Sequence, residues 1–333
     1  MNFESAQQIA DAVMYEGYAL YPCRASSAKN RVRWQFGVLA PRAFAERTGS
    51  DPWFQQSECL IEPAAGQTID VRVRGLQLQR RTVETRAEGG RFEAVSGVSL
   101  DGQVMASWDE GIEQSIDLPN LDVAMLVSHE LAHVERIEGG DRIDQLEPEV
   151  RIVREQLQVD LRVSLSAERI GGRVKLRLRV ENVTPQAPVS DERIAALRQS
   201  LVGVHALIGL RGGRFVSLLE PPPDAREAAA ACANQGAWPV LVGTRPTADL
   251  VLCAPIMLND YPAVAPESPG NLFDGTEIDE ILPLRIMTLT DEEKAEARAI
   301  DECARRIIER VDALPPDTLA AVRKEVEPVG GVE

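Results

Sequence analysis

Histidine and cysteine, on which metal and nucleophile chemistry most often draws, are scarce here: 333 residues carry three His and five Cys. The cysteines (Cys23, Cys59, Cys232, Cys253, Cys303) are odd in number and form no CxxC pair. Such dispersal excludes a disulfide framework and a four-cysteine zinc or iron–sulfur site, and leaves free thiols that pack as small apolar side chains. Also missing are a GxGxxG turn after a strand, a P-loop and the GxSxG elbow of a serine hydrolase. No apolar run approaches the roughly 18–20 residues that cross a bilayer, and the first residues lack the charged-then-apolar pattern of a secretory leader. The expectation is a cytoplasmic protein with no membrane insertion.

Positive charge is in short supply too. Lys and Arg number 36 against 52 Asp and Glu, for a net charge of −16, and residues 267–333 hold 17 acids against 8 bases. Phosphate binding needs a positive field, so this balance speaks against nucleic acid and anionic membranes as partners. It suits a basic protein partner or a cation, or simply a solvated acidic helix face. The one local basic patch is Arg24, Lys29, Arg31 and Arg33, either an exposed strand face with its preceding loop or a holder of an anion or of the acidic C-terminal region.

What is present is a core-forming chain, 44% hydrophobic and 26% charged, long enough for two domains. Residues 3–16 suggest a short helix, and RVRWQFGVL (31–39) alternates as a half-buried strand. From 56 to 185 the pattern is mostly β. Ile69, Val71 and Val73 alternate with polar residues, and Gly89-Gly90 offers a hairpin turn. Residues 153–167 and 173–181 alternate on either side of Gly171-Gly172 as neighbouring antiparallel strands, the unit of a β-sandwich. Pro185 to Pro188 reads as a linker. Beyond it Ile194, Leu197, Leu201, Val204 and Ile208 make a helical stripe, residues 224–234 an alanine-rich helix, and WPVLVG and ADLVLCAPIML buried strands. Thr290 with Glu293 fits a capping box, and Ile300, Cys303, Ile307 and Val311 recur at helical spacing. The expected architecture is α+β: a sandwich-like antiparallel β domain over 1–188, a mixed α+β domain over 189–314 closed by a long amphipathic helix (290–314), and a tail over 315–333.

One motif carries chemistry. His129-Glu130-Leu131-Ala132-His133 is an HExxH, and on a helix its two imidazoles share a face and hold Zn²⁺ while the glutamate serves as base. The apolar flank VAMLVS suits a buried helix, and an imidazole pair with nearby carboxylates takes nickel as readily as zinc. The third ligand is the weak point. No GxxH extension follows His133. Glu155 lies at the entry to an expected strand, and His205 belongs to the apolar stripe of the second domain. Glu135, Glu138, Asp141 and Asp144 need a tight loop to return to the site.

The stretch from 254 to 314 holds a proline-stiffened loop (Pro255, Pro262, Pro266, Pro269) and then a run of acids, Asp274, Glu277, Asp279 and Glu280. Its phrases NDYPAVAPESPG and DGTEIDEILPLRIMTLTDEEK, together with SLLEPP, YEGYALYP and RWQFGVL, resemble an uncharacterised bacterial family encoded beside uptake nickel–iron hydrogenases of the actinobacterial type. The likeness covers roughly 15–39 and 200–311. It implies a non-enzymatic accessory role in assembly or maturation, with a hydrogenase subunit or maturation factor as partner, and it brings no catalytic residues. On that reading Tyr261, Leu272 and Phe273 are docking anchors, rimmed by Asp274, Glu277, Asp279 and Glu280, with no cofactor. The alternatives are a zinc (or nickel) metallohydrolase with His129 and His133 as ligands and Glu130 as base, and a structural subunit with no chemistry.

Overall fold

Residues 68–86 read TIDVRVRGLQLQRRTVETR, a β-branched and arginine-rich run with no proline or turn signal to stop it. In the computed structural model they form one strand, β2 (Thr68–Arg86), of 19 residues and about 60 Å at 3.3 Å per residue. The structure describes residues 3–15, 36–100, 103–185 and 192–262, and the single helical positions 294, 298, 305, 308, 309 and 312. From Thr68 to Gln77 β2 is flanked by β6 (Trp108–Asp122) on one edge and β12 (Leu201–Arg211) on the other, and β6 continues alongside it to Arg81. Along its second half the neighbours are β3 (Phe92–Val95) and β9 (Val150–Gln156). All four pairings are antiparallel.

Two sheets result. One runs β14 (Trp238–Leu241), β15 (Leu250–Ala254), β12, β2, β9, β8 (Gly140–Glu147), with β6 and β3 on the opposite edge of β2. The other runs β13 (Phe215–Val216), β1 (Phe54–Ile61), β11 (Arg173–Asn182), β10 (Val159–Ile170), β7 (Leu131–Ile137). A shared apolar core fills the space between them: Ile69, Val71 and Val73 of β2 and Val204, Ala206 and Ile208 of β12 join Val159 to Leu165 of β10 and Val174 to Val180 of β11. The expected antiparallel β-rich body is therefore present. Its β10–β11 hairpin turns at Gly171 and Gly172, both at positive φ, as a tight two-residue turn requires. Beyond the sandwich, the second half of β2 forms an arm whose own small cluster holds Val83, Val150 and Ile152. Partly buried side chains of β3 and of the hairpin β4 (Gly97–Leu100) with β5 (Gln103–Ala106) pack against it.

Pairing crosses the boundary expected at 188. Strand β12 lies between β2 and β15, β13 pairs with β1, and the two sequence halves share one core. The helix expected over the stripe from Ile194 to Ile208 is corrected. Helix α4 (Arg193–Leu197) ends after five residues, and β12 follows with every position from Leu201 to Leu210 buried. A helix there would need a polar face; LVGVHALIGL has none, and a run buried on both sides is what a central strand presents.

Helix α1 (Glu4–Tyr15) covers the outer face of β12 and β15, with Phe3, Ala6, Ala10 and Val13 against Leu207, Leu250 and Leu252. Charge fixes its register: Asp11 Oδ1 accepts from Arg74 Nη1 at 2.7 Å, and the Arg72 guanidinium lies 5.3 Å from the Phe3 ring centroid. Where α1 ends, Gly203 (φ +61) bulges β12 so that its backbone meets Met14; a Cβ there would sit 2.6 Å from Met14 O. Short helices α2 (Arg42–Thr48), α3 (Val123–Ser128) and α5 (Arg226–Ala230) pack at the sandwich ends and outer face.

The long helix expected over 290–314 falls mostly outside the described residues, and what is described does not follow one straight helix. Lys294 Nζ is 2.6 Å from Asp312 Oδ1, and Arg298 pairs with the same carboxylate. Eighteen residues of straight helix span about 27 Å, too far for two side chains to close. The tail over 315–333 and the basic patch at Arg24, Lys29, Arg31 and Arg33 lie outside the described residues.

Gly203→Ala combines left-handed backbone strain with a backbone clash against Met14. It is expected to destabilise the fold by about 2 kcal/mol or more, read as a lowered urea midpoint. An unchanged midpoint contradicts the close approach of α1 to β12.

Candidate functional site

The HExxH sequence does not form the helix its chemistry needs. Asp122 caps α3, its Oδ1 accepting from Ala124 N at 2.7 Å, and the helix runs only to Ser128. His129 is the C-cap, already extended at φ −143, ψ 135, and Leu131 begins β7. On a helix, residues i and i+4 sit about 6 Å apart; an extended stretch carries them roughly 13 Å along the chain. His129 and Glu130 are exposed. His133 is on β7, its Nε2 3.1 Å from Glu135 Oε2. The zincin geometry expected of His129, Glu130 and His133 is thus corrected: the backbone turns from helix to strand inside the motif.

The candidate third ligands are dispersed as well. Glu155 ends β9 and pairs with Arg198 at 2.6 Å. His205 is fully buried on β12, opposite Arg74 on β2, with Nδ1 donating to Gly203 O at 2.8 Å. Its Nε2 has no hydrogen-bond partner among the described residues. Burial, with the nearby Arg74 charge, outweighs the Gly203 hydrogen bond and lowers the imidazole pKa from 6.5 to about 4, so the ring is neutral. Among the described residues no group of three or more His, Cys, Asp or Glu side chains is placed to hold a metal.

Tyr261, expected as a docking anchor, is turned inward. It takes positive φ (55), its N–H donates to Leu241 O at 2.6 Å, and its hydroxyl donates to Thr247 O at 2.9 Å. Its ring packs on the sandwich core and under the Arg245 guanidinium, 4.8 Å from the centroid. Asp260 beside it accepts from Leu241 N at 2.8 Å and from the Ser217 hydroxyl. The NDYP phrase is therefore a clasp that closes the outer edge of β14. Leu272, Phe273, Asp274, Glu277, Asp279 and Glu280 lie outside the described residues.

One cluster of ionisable groups on the second sheet was not foreseen from the sequence. On β11 the alternation Arg173, Lys175, Arg177, Arg179 puts four cations on the outer face of the second sheet. Opposite Arg177, on β1, stands Glu58, with no exposed surface. Its carboxylate accepts from Arg177 Nε at 2.6 Å and Ala233 N at 2.7 Å, and Lys175 Nζ lies at 3.5 Å. Lys175 also meets Glu168 at 2.7 Å. Burial raises the Glu58 pKa, but the Ala233 N–H and the two cations together outweigh it, and the carboxyl titrates below its ordinary range. Ser166, Ala167, Glu168, Lys175 and Arg177 line a shallow cleft of about 130 Å³ above it. Chemically this is a closed network. The carboxylate is held ionised as an acceptor, its cations are matched to acids, and none of these groups is shown poised near neutral pH as a general acid or base. The signal in the sequence was the four-cation alternation in RVKLRLRVEN, whose partner lies 119 residues away.

The described thiols are equally closed. Burial pushes Cys253 up to about 12 and Cys232 up to about 11, and holds Cys59 well above its ordinary value. All three are free and protonated at neutral pH, which disfavours nucleophilic or metal-ligating roles. Compared with known proteins, the chain matches no family model and no curated sequence.

Two measurements check this account. Glu58→Gln takes the buried carboxylate from Arg177, which is half exposed, while Lys175 keeps Glu168, and is expected to cost about 1–2 kcal/mol of stability, seen as a lower melting temperature. For His205, the unfolded chain binds a proton below about pH 6.5 that the fold accepts only near pH 4. Its contribution is therefore intact above 6.5 and lost as pH falls towards 4, about 3 kcal/mol in all. Stability measured across that window should fall less steeply in His205→Gln; identical slopes contradict the neutral buried ring.

Proposed function

We propose that this chain is a non-catalytic accessory protein that acts by contact with another protein, in the assembly or maturation of a hydrogenase-like metalloenzyme. The observation that carries the reading is the clasp at Asp260 and Tyr261. It ties Asp260 and Tyr261, within the proline-spaced segment 255–285, to Leu241 of β14 and to Thr247. A binding segment held at its base loses less entropy when it meets a partner than one hung from a loose tail. The described chemistry is consistent with that reading: the HExxH changes from helix to strand midway, the described thiols are held protonated, and the buried Glu58 carboxylate is matched by Arg177 and Lys175. The resemblance of 15–39 and 200–311 to a hydrogenase-linked family supplies the class of partner. Within this proposal Leu272 and Phe273 are the anchors, the four following acids are the rim, and Tyr261 positions the segment without meeting the partner.

Pull-down from cells expressing a hydrogenase tests it. Phe273→Asp with Leu272→Asp is expected to abolish partner recovery and lower hydrogenase activity while the melting temperature stays put. Tyr261→Ala is expected to lower the melting temperature and partner recovery together. Undiminished recovery and activity in the double variant would remove this surface. A partner held at fixed stoichiometry with no effect on maturation would assign the chain to a structural subunit instead.

A further inference from the structure

Three strands leave a long edge with no partner among the described residues: β6, β7 and β8. An open edge templates pairing with another strand unless something prevents it. Strand β6 carries five acids, no base and Pro119, so two copies of it repel. On β7, His133 and Glu135 stand opposite Val163 and Leu161 and share their core-side face, inward-pointing polar groups that spoil an added strand. Strand β8 also sets polar groups on the core-side row, Asp144 opposite the buried Ile152, but unlike β6 it carries both signs of charge and no proline, so two copies need not repel. It reads GDRIDQLE, all of its positions but Asp144 are exposed, and Ile143 keeps 56% of its surface in solvent.

The pattern around Ile143 is self-complementary. A two-fold axis through Ile143 of an antiparallel β8–β8 pair sets Ile143 against its own copy, Arg142 against Asp144 of the second copy, and Asp144 against that copy's Arg142. Residues directly opposite share a face of the sheet, so each ion pair forms on one face while the isoleucines meet on the other. The carboxylate is ready for this. Within one chain Arg142 and Arg154 both donate to Asp144 Oδ2, and neither donates to Oδ1. Arg154 is also held by Glu110 at 3.0 Å, which leaves Arg142, 69% exposed, as the cation with an arm to spare.

We propose that β8 is a self-association edge, where a second copy of this chain pairs antiparallel across Ile143 and joins the two β2–β9–β8 arms into one continuous sheet. The occupant is the same chain because the sign alternation Arg142–Ile143–Asp144 is its own complement, as an isologous interface requires. A basic partner strand would forfeit Arg142 and an acidic one Asp144.

Sedimentation equilibrium of the purified full chain over a concentration series tests it. The mass is expected to rise towards twice that of the chain. Arg142→Asp sets like charges opposite at both contacts and should weaken association by about tenfold or more, as should Asp144→Arg. Mixed together, the two variants have every contact opposite in sign again and are expected to form a heterodimer that neither forms alone. Because Asp144→Arg also removes the partner of Arg154, Ile143→Asp, at an exposed position, gives an independent break, with circular dichroism checking each fold. A chain that stays monomeric throughout overturns the proposal. So does a dimer indifferent to Arg142→Asp and Ile143→Asp, or a folded variant pair that fails to associate.

Discussion

A strand buried in a sheet must have its amide and carbonyl groups paired on both edges along its whole length, because an unpaired buried group costs about as much as a lost hydrogen bond. For β2 that demand extends over 19 residues, and no single neighbour is long enough to meet it. The chain meets it with four segments drawn from 92–95, 108–122, 150–156 and 201–211. The sandwich forms where β6 and β12 flank β2, and the arm forms where β3 and β9 do. Since β12 is one of the four, strands β12 to β15 lie in the same sheets as strands from residues 54–182, whatever the proline-rich stretch between them suggests.

This explains which parts of the fold were legible. Pairings closed by a two-residue turn, such as β10 with β11 around Gly171-Gly172, announce themselves through alternation and glycine at positive φ. So does α1, whose apolar positions recur on one face. Strand β12 was misread because a run apolar at every position contains a helical stripe as readily as a strand. Only its partners decide the matter: β2 lies more than a hundred residues upstream, and β15 and α1 complete its burial. The inward hydrogen bonds of Tyr261 were hidden for a related reason. An aromatic in a proline-spaced loop looks like something offered to a partner, and nothing local reveals that Thr247 and Leu241 wait to receive it.

The charge pattern follows from the same geometry. Outer faces of sheets this long cannot all be apolar, and Arg is the side chain whose stem can lie along a β surface while its planar head finds a carboxylate two strands away. Arg74, Arg81 and Arg154 are each largely buried and each bound to an acid, Asp11 in the first case and Glu110 in the other two. Each such pair takes an acid with its base, so the pairs leave the net charge of −16 where the composition put it.

The HExxH pattern can be understood in these terms without any metal. Its first half belongs to the end of α3, where Ser128 and an exposed His129 and Glu130 let the chain leave a helix capped by Asp122. Its second half belongs to β7, an edge strand whose core-side row is Leu131, His133, Glu135, Ile137. Two apolar residues secure the ends of that row against β10, while a polar pair in its middle makes the edge a poor template for another strand. Edge protection asks for polar residues two apart, helix exit asks for polar residues just before, and the two requirements laid end to end spell the motif. The four-residue spacing from His129 to His133 that suits zinc on a helix here joins two separate polar requirements across a backbone that changes state partway through.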